Sequence, residues 1–556
     1  MTTTGTTPDA VIASARRLVE ASTSVVDAAL RSAAVLTEGG RRIDDHQVHV
    51  ERVSYLATQV RAAHELVSYA ERLAAKGQPD RRQAMMAHAY AAEVAHALGS
   101  AIEAAWEECG LAEDDLAPLR DPALRSQLRA GLADARLREI GREVIASLGT
   151  NNVDLEDETA ALTRDMAREF ARNEVAPIAQ QIHREDRLVP DALLGAFSRQ
   201  GFFGSSIPEQ YGGTGMGDLP MIIITEELSM ASLAAAGSLS TRPEILTKAL
   251  LAGGTDEQRA QWLPRIASGD ELVAIAVTEP DVGSDVASLQ TRAVPAEHEG
   301  VRGWRISGQK AWSTFSGRAT VLALLARTDP DPASGNRGLS LFMVPKPPFE
   351  GHHWRYEQPE GGVMEGTANP TPGYRGMHSF TIALDDVWVP HANLVGGDDG
   401  VGNGFFVQMG GFAAGRLQTG GRAIGVAQAG LEKACQYVTQ RSQFGSPLSD
   451  YQLTQHKIGV MATHTAAARQ LTYVAARDFD TRAVEPAMAK LLACDIAGEV
   501  TREAQLLHGG WGFSEEDPIS RYVVDALVLP IFEGVKPVLE LKVIGRQLLA
   551  RAAREG

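Results

Sequence analysis

The sequence predicts a mainly α-helical protein with one β domain set between helical ones. Three observations carry that expectation. Apolar residues recur at three- and four-residue spacing from about Asp9 to Leu148, from Glu156 to Gly269 and again from Gly402 onward, as amphipathic helices require. From about Leu272 to Pro390 the pattern changes to short β-like runs separated by Gly, Pro and Asp turns. The 556-residue length exceeds what one core usually serves, so three or four packed units are expected.

The N-terminal block repeats its apolar stripe in Val11-Ile12-Ala15-Leu18-Val19, in Val53-Leu56-Val60-Leu66-Val67-Ala70, and over an alanine-rich run from Met85 to Trp106. It reads as an amphipathic bundle packing on something else, with no catalytic spacing. A linker is expected at Gly149–Val153. In the second block, the glycines of Ile207–Gly217 loosely match a dinucleotide fingerprint. No strand precedes them and no ribose-binding acid follows, so they read as a loop. Gly237-Ser238-Leu239-Ser240-Thr241-Arg242-Pro243 holds one arginine in a small, neutral stretch. It is either an exposed arginine before a helix or a guanidinium that binds an anionic group. Strands are expected at Val273–Val277, Ala319–Leu325 and Leu339–Val344, and a four-helix arrangement over 405–440, 453–479, 488–507 and 538–552.

Composition excludes several classes of partner. Hydrophobic residues make up 44% and charged residues 22%, as in ordinary soluble domains. The formal net charge of −17 argues against a nucleic-acid footprint, which needs a basic face. Cys109, Cys435 and Cys494 lie far apart without a CxxC and read as buried or incidental thiols in a reducing compartment. Residues 1–5 lack the features of a signal peptide and no stretch reaches membrane-spanning length. A cytoplasmic location is expected, and no metal.

Leu529-Pro530-Ile531-Phe532-Glu533-Gly534-Val535 places one carboxylate after an apolar run (Ala526 to Phe532) and before a glycine. Desolvation there would raise its pKa toward a value useful for taking a proton, and Gly534 would let a substrate approach the backbone. The plainer reading is an acid suited to the positive start of the last helix.

Five motifs turn these alternatives into a pattern. Ala276-Val277-Thr278-Glu279-Pro280-Asp281-Val282-Gly283-Ser284-Asp285 closes the first expected strand. Lys310-Ala311-Trp312-Ser313-Thr314 follows, then Arg441-Ser442-Gln443-Phe444-Gly445-Ser446-Pro447-Leu448 with Gln452, then Gln505-Leu506-Leu507-His508-Gly509-Gly510-Trp511-Gly512-Phe513, and finally Phe532-Glu533-Gly534. In this order they resemble the signatures of the acyl-CoA dehydrogenase family, over roughly Glu156 to Ala552. The N-terminal block falls outside that resemblance.

The resemblance implies an α-helical domain, a β-barrel-like middle domain and a C-terminal four-helix bundle, here at 151–271, 272–394 and 395–556, behind an extra helical domain at 1–150. It implies FAD as cofactor, an acyl-CoA as substrate and electron-transferring flavoprotein as electron acceptor. FAD contacts are implied at Val277, Thr278, Gly283, Ser284, Trp312 and Thr314, with Trp312 against the ring. Arg441, Phe444, Gln452, Gln505, Gly509 and Gly510 would hold its adenosine half across a subunit interface, which implies a homodimer or dimer of dimers. Ser284, Arg416 and Gly534 match positions on the acyl-CoA side. Glu533 takes the place of the catalytic base; the family's other base position is Gly415, which offers no carboxylate. A flavin takes hydride from one carbon while a base removes the α-proton beside a thioester, and positioned proton transfer is worth ~10²–10⁴-fold. The developing enolate needs donors, which the family supplies from the backbone N–H of the base and a flavin ribityl hydroxyl.

Several positions depart from the family pattern. Val535 and Pro537 replace polar residues; Val524 stands where an arginine is common, leaving Arg521 or nothing to compensate; Phe315 and Ser316 replace Asn-Gly; and Ala413 replaces an acid. These point away from straight-chain fatty acyl-CoA. The N-terminal block, the Ser238–Arg242 stretch, the insertion Gln358-Pro359-Glu360-Gly361-Gly362 and Gly373-Tyr374-Arg375-Gly376-Met377 are similar to a branch acting on a short acyl-CoA with a free second carboxylate. Arg242 is then expected to pair with that carboxylate, since burying it unpaired would cost several kcal/mol; Arg375 is the second candidate. Another short- or branched-chain acyl-CoA dehydrogenase, an acyl-CoA oxidase using O₂, and a DNA-associated non-enzymatic relative remain alternatives.

Overall fold

The computed structural model describes residues 7–151, 153–477, 479–480 and 482–555. The expected linker includes Asn152, the helix expected to reach Phe479 includes Asp478, and residues 1–5 were read for a leader; all of these lie outside the described residues. The chain divides into two compact units, residues 1–154 with 419–556, and residues 155–418.

The first unit is helical apart from one short hairpin at 442–447. Helices Pro8–Leu36, Gln47–Ala75 and Arg81–Ala104 bury the expected stripes, including Leu18, Val25, Val50, Leu66 and Leu98. Asp80 caps the third by accepting from the Gln83 amide at 3.0 Å, which satisfies a donor that the helix itself cannot. The C-terminal half contributes helices Gln452–Arg477 and Glu485–His508, close to expectation. The last expected helix differs. It is broken into Lys536–Val538, a widened π turn at Leu539–Gly545 and Arg546–Glu555. Helix Gln47–Ala75 presses on that turn: a Cβ on Gly545 would lie 2.7 Å from Val50 Cγ1 and 3.0 Å from Ser54 Oγ.

The second unit carries helices Glu158–Phe170, Asp218–Ala231, Glu244–Gly253 and Asp256–Ser268 beside one eight-stranded sheet. Its strands are β1 (Val273–Ala276), β2 (Arg292–His298), β3 (Val301–Thr314), β4 (Val321–Arg327), β5 (Leu339–Pro345), β6 (His353–Glu357), β7 (Val363–Ala368) and β8 (Ser379–Pro390). They run in the order β1-β4-β2-β3-β8-β7-β6, with β5 paired to β4. The pairing is antiparallel except at β1–β4 and β2–β4. All seven residues of β4 are buried, which is why it reads as an unbroken apolar run rather than an alternating one. Leu246, Leu250, Leu263 and Ile266 cover one face of β1, β4 and β5, against Val273, Val321, Ala323, Leu341 and Met343. Residues 207–217 form an irregular loop around a short 3₁₀ turn, Glu209–Tyr211, as expected.

Helix Asp134–Ala146 crosses helix Gln452–Arg477 at a pair of glycines. A Cβ on Gly459 would sit 2.0 Å from the Leu137 carbonyl oxygen, and one on Gly141 would sit 1.8 Å from that of Gln455. Neither backbone can yield easily inside two long helices. Gly459→Ala is expected to destabilise the protein by about 1–3 kcal/mol, read as a fall in Tm, whereas Gly498→Ala, on a helix with open space around it, should leave Tm unchanged or higher.

Candidate active site

The sequence-derived residues fall in both units, and each set has its own local geometry. In residues 155–418, the β3–β8 register slips between Lys310 and Ser313. The slip turns Trp312 into left-handed backbone (φ 57°) and leaves its indole 59% exposed. On either side the chain is tightly held. The Ala311 amide donates to the Thr278 carbonyl at 2.8 Å, Ser313 Oγ donates to the Ile275 carbonyl at 2.8 Å, and the Thr314 and Ser379 hydroxyls lie 2.9 Å apart. An outward-facing indole on so tightly held a strand suits stacking against a planar ring such as a flavin. Val277 is buried, Thr278 half-buried, and Gly283 and Ser284 are exposed beyond a turn closed by Glu279 and Val282.

The residues beneath this surface were not singled out from sequence. Lys310 is fully buried; its Nζ donates to the Val277 carbonyl and to Glu279 Oε1, both at 3.0 Å. Glu279 also accepts from the Gln290 and Thr291 amides at 2.8 Å. Burial alone would raise the Glu279 pKa, but Lys310 and these donors outweigh it and hold the carboxyl below its usual range. Burial pulls Lys310 down to about 8, against the pull of Glu279. The pair fixes Val277–Pro280 against β3, and nothing in the mixed polar and apolar sequence of that strand marked the lysine as buried.

Arg242 is buried, 6% exposed, among Ser238, Ser240 and Thr241. Its Nε donates to the Ser238 carbonyl at 3.1 Å, and among the described residues no carboxylate comes within ion-pair distance of it. Nearby Glu244 turns instead to Lys248 at 3.4 Å, and burial raises its pKa. The exposed-arginine alternative therefore fails. Arg375, the second candidate cation, is engaged: its Nε lies 3.3 Å from Asp186 Oδ1, and its Nη1 donates to the His183 carbonyl at 3.2 Å. Asp186 also meets His378 Nε2 at 3.0 Å, and His352 lies close enough to form a candidate metal-ligand set. The Gly376 amide donates to His378 Nδ1 at 3.3 Å, which puts the ring proton on Nε2, facing Asp186. That is a hydrogen-bond network rather than a lone pair offered to a cation. Arg416 lies half-buried on helix Gly404–Gln440 beside the buried Gly415.

In the other unit, Glu533 is half-buried in left-handed backbone (φ 55°), followed by Gly534 at φ 98°. It stands in a turn before the last helical segment, not inside a helix. The turn closes through the Lys536 amide, which donates to the Pro530 carbonyl at 2.9 Å. Helix Glu485–His508 grips it twice more: Lys490 Nζ donates to the Gly534 carbonyl and Cys494 Sγ to the Leu529 carbonyl at 3.3 Å. The Arg422 guanidinium lies 4.6 Å from the Phe532 ring centre. Burial pushes the Cys494 thiol up to about 12, so it donates and does not react; all three cysteines are free and buried.

Of the remaining expected cofactor positions, Arg441, Gly509 and Gly510 line a groove of about 580 Å³ with Tyr437, Gln443 and His508, among others. Phe444 and Gly445 form the tip of a two-residue hairpin between β9 (Ser442–Gln443) and β10 (Ser446–Pro447), with φ of 51° and 84°. Phe444 is 98% exposed. Gln505 Nε2 donates to the Gly512 carbonyl at 3.0 Å, shaping the glycine turn. Gln452 is drawn elsewhere: its Oε1 accepts from Arg138 Nη1 at 3.0 Å.

Comparison with known proteins bears on the family of the chain. Models of the acyl-CoA dehydrogenase N-terminal, middle and C-terminal domains match residues 157–270, 274–387 and 402–549. The C-terminal-domain model also matches residues 11–130, so the block set outside the resemblance is itself similar to a family domain. (2S)-methylsuccinyl-CoA dehydrogenase from Cereibacter sphaeroides is 37% identical over 529 residues, 93% of each chain. An acyl-CoA dehydrogenase from Bacillus subtilis is 34% identical over 70% of this chain and 97% of its own. The structure of butyryl-CoA dehydrogenase from Megasphaera elsdenii aligns with a TM-score of 0.64 at 28% identity, covering 72% of this chain and 100% of that one.

The Lys310–Glu279 pair yields a stability test. Removing one partner of a buried pair costs about 3–5 kcal/mol because the other charge is stranded. Lys310→Met should therefore lower Tm sharply and weaken flavin retention, while the double variant Lys310→Met, Glu279→Gln should recover much of both.

Proposed function

Because the chain belongs to the acyl-CoA dehydrogenase family, we propose that it oxidises (2S)-methylsuccinyl-CoA to mesaconyl-CoA, as in the ethylmalonyl-CoA pathway of acetate assimilation. The chain is an FAD-dependent oxidoreductase by family. The finer assignment rests on one observation, the buried Arg242 with no carboxylate partner among the described residues. A buried guanidinium left unpaired is costly, and a substrate with a free carboxylate supplies the missing anion. A planar fork matched to a carboxylate also orients the acyl group. The 37% identity to a methylsuccinyl-CoA dehydrogenase supports the same choice.

In this reading Glu533 removes the α-proton. Its left-handed turn fixes the carboxylate's direction, and the backbone N–H of Glu533 serves as one donor to the thioester oxygen, where charge develops. Gly534 leaves the backbone open to the thioester, since any Cβ there would be strained and within 3.1 Å of Leu539. Bound FAD supplies the acceptor for the hydride from the neighbouring carbon. Trp312, Thr278 and Thr314 hold the flavin ring, while Arg441, Phe444, Gln505, Gly509 and Gly510 hold the adenosine half of a partner subunit's FAD. The exposed Phe444, Leu506, Trp511 and Phe513 support that subunit contact, because monomers seldom leave so many large apolar side chains uncovered in one region. A homodimer or dimer of dimers follows, with electron-transferring flavoprotein as acceptor. The acidic balance fits a cytoplasmic enzyme, and no helix among the described residues is long and apolar enough to cross a membrane.

Anaerobic flavin bleaching with a panel of acyl-CoAs tests the chemistry. Glu533→Gln should retain FAD and acyl-CoA yet reduce flavin slower by about 10²–10⁴-fold; full bleaching at the parent rate would remove Glu533 as base. Arg242→Met should lower kcat/KM for methylsuccinyl-CoA by about 10²-fold or more while sparing acyl-CoAs with no second carboxylate. Unchanged methylsuccinyl-CoA kinetics would refute the assignment of Arg242.

A further inference from the structure

The N-terminal block reaches the segment that carries Glu533 through the side chain of Tyr55, among others. Tyr55, on helix Gln47–Ala75, donates its hydroxyl to Asp495 Oδ2 at 2.9 Å. The same oxygen accepts from Lys536 Nζ at 2.6 Å, and that ammonium lies 4.7 Å from the centre of the Tyr55 ring. Three groups thus close on one another, with the ring and the carboxylate on one cation. Lys536 is also the residue whose amide closes the 530–536 turn on the Pro530 carbonyl. Asp495 sits on the helix whose Lys490 and Cys494 hold the carbonyls of Gly534 and Leu529.

The charges around the cluster favour the closed arrangement. Lys536 faces Asp495, Glu540 at 3.7 Å and the more distant Glu51. Burial alone would depress the Lys536 pKa, but Asp495 and these acids raise it, so the ammonium persists. Burial and the Asp495 charge push the Tyr55 phenol well above its usual range, so it remains a donor. Nothing in the turn itself requires a tyrosine from 478 residues upstream of Glu533. A hydroxyl and ring supplied by the N-terminal block are what complete the shell around Lys536.

We propose that Tyr55 is a positioning residue for the proton-transfer step: it locks the Asp495–Lys536 pair and thereby the left-handed turn that aims Glu533. The proposal rests on the reading of Glu533 as base. It gives the N-terminal block a role in catalysis separate from any role in folding. A base displaced by a fraction of an ångström loses rate far more than it loses affinity, because the turn meets only the thioester end of the acyl-CoA.

The test uses full-length holoenzyme and whichever acyl-CoA bleaches the parent flavin. Tyr55→Phe removes the hydroxyl but keeps the ring over Lys536; Tyr55→Leu removes both. Anaerobic stopped-flow should show flavin reduction at saturating substrate about tenfold slower for Tyr55→Leu and less affected for Tyr55→Phe. The concentration for half-maximal rate should stay within about twofold, with FAD content and Tm retained. Asp495→Asn combined with Tyr55→Leu should add little to either alone, as expected of one cluster. Parent-like rates in both Tyr55 variants would overturn the proposal, as would a rate loss that tracks lost FAD or lower Tm, or a purely multiplicative double variant. Glu533→Gln in the same experiment separates the two readings: if it bleaches like the parent, the base assignment fails, whatever Tyr55 does.

Discussion

Under the proposed reading a carboxylate can abstract a proton only from where its backbone places it, and at Glu533 the backbone is in a conformation the residue does not prefer. Left-handed backbone costs an L-residue roughly 1–2 kcal/mol, and Glu533 adopts it at φ 55°. Such a conformation persists only where the surroundings over-determine it. Four independent restraints do so: the Lys536 amide on the Pro530 carbonyl, Lys490 on the Gly534 carbonyl, Cys494 on the Leu529 carbonyl, and Arg422 over the Phe532 ring. Much of helix Glu485–His508 is thus arranged as a template for one turn, which explains a lysine that is only 1% exposed on an otherwise apolar helix face.

The same economy of strain marks the positions expected to face the flavin. Trp312, Phe315 and Phe444 are also left-handed, bulky residues, and each lies in or next to a family motif. Phe315 replaces the more usual asparagine, which tolerates that conformation better. The chain compensates by burying the phenylalanine ring to 1% exposure and giving its amide two acceptors, the Met377 and His378 carbonyls, each at 2.9 Å. The departure from the family pattern therefore leaves the bend intact and changes only how it is stabilised.

Legibility in the sequence followed the range of the interaction. Periodicity located the helical blocks and the strands β1, β4 and β5, because burial on one or both faces writes itself into neighbouring residues. The motifs singled out Glu533 and Trp312 but not the left-handed turn or the register slip in which they lie. What escaped were contacts between distant segments. Lys310 and Glu279 are 31 residues apart, and neither looks unusual until a strand register brings them together. Tyr55 and Asp495 are 440 residues apart. The N-terminal block escaped for another reason. Its helix Arg81–Ala104 is built largely on buried alanines such as Ala84, Ala87, Ala91 and Ala95. Such residues specify close helix packing but carry no chemistry by which a domain can be recognised. Arg242 lay between these cases: its neutral neighbours were visible, its burial was not.

That burial bears on selectivity under the proposed reading. A pocket that merely excludes size separates substrates differing by one methylene only about 10–200-fold, whereas a site holding a buried polar group rejects a substrate that leaves the group unpaired by about 10⁴–10⁵. Arg375 would give little such discrimination, since Asp186 already neutralises it whether or not substrate is present. Arg242 has no such internal partner among the described residues. Its desolvation is a standing cost in the free enzyme that only an anionic acyl group relieves. Under the proposed reading, the placement of this one guanidinium is what separates a dicarboxylic from a simple acyl-CoA.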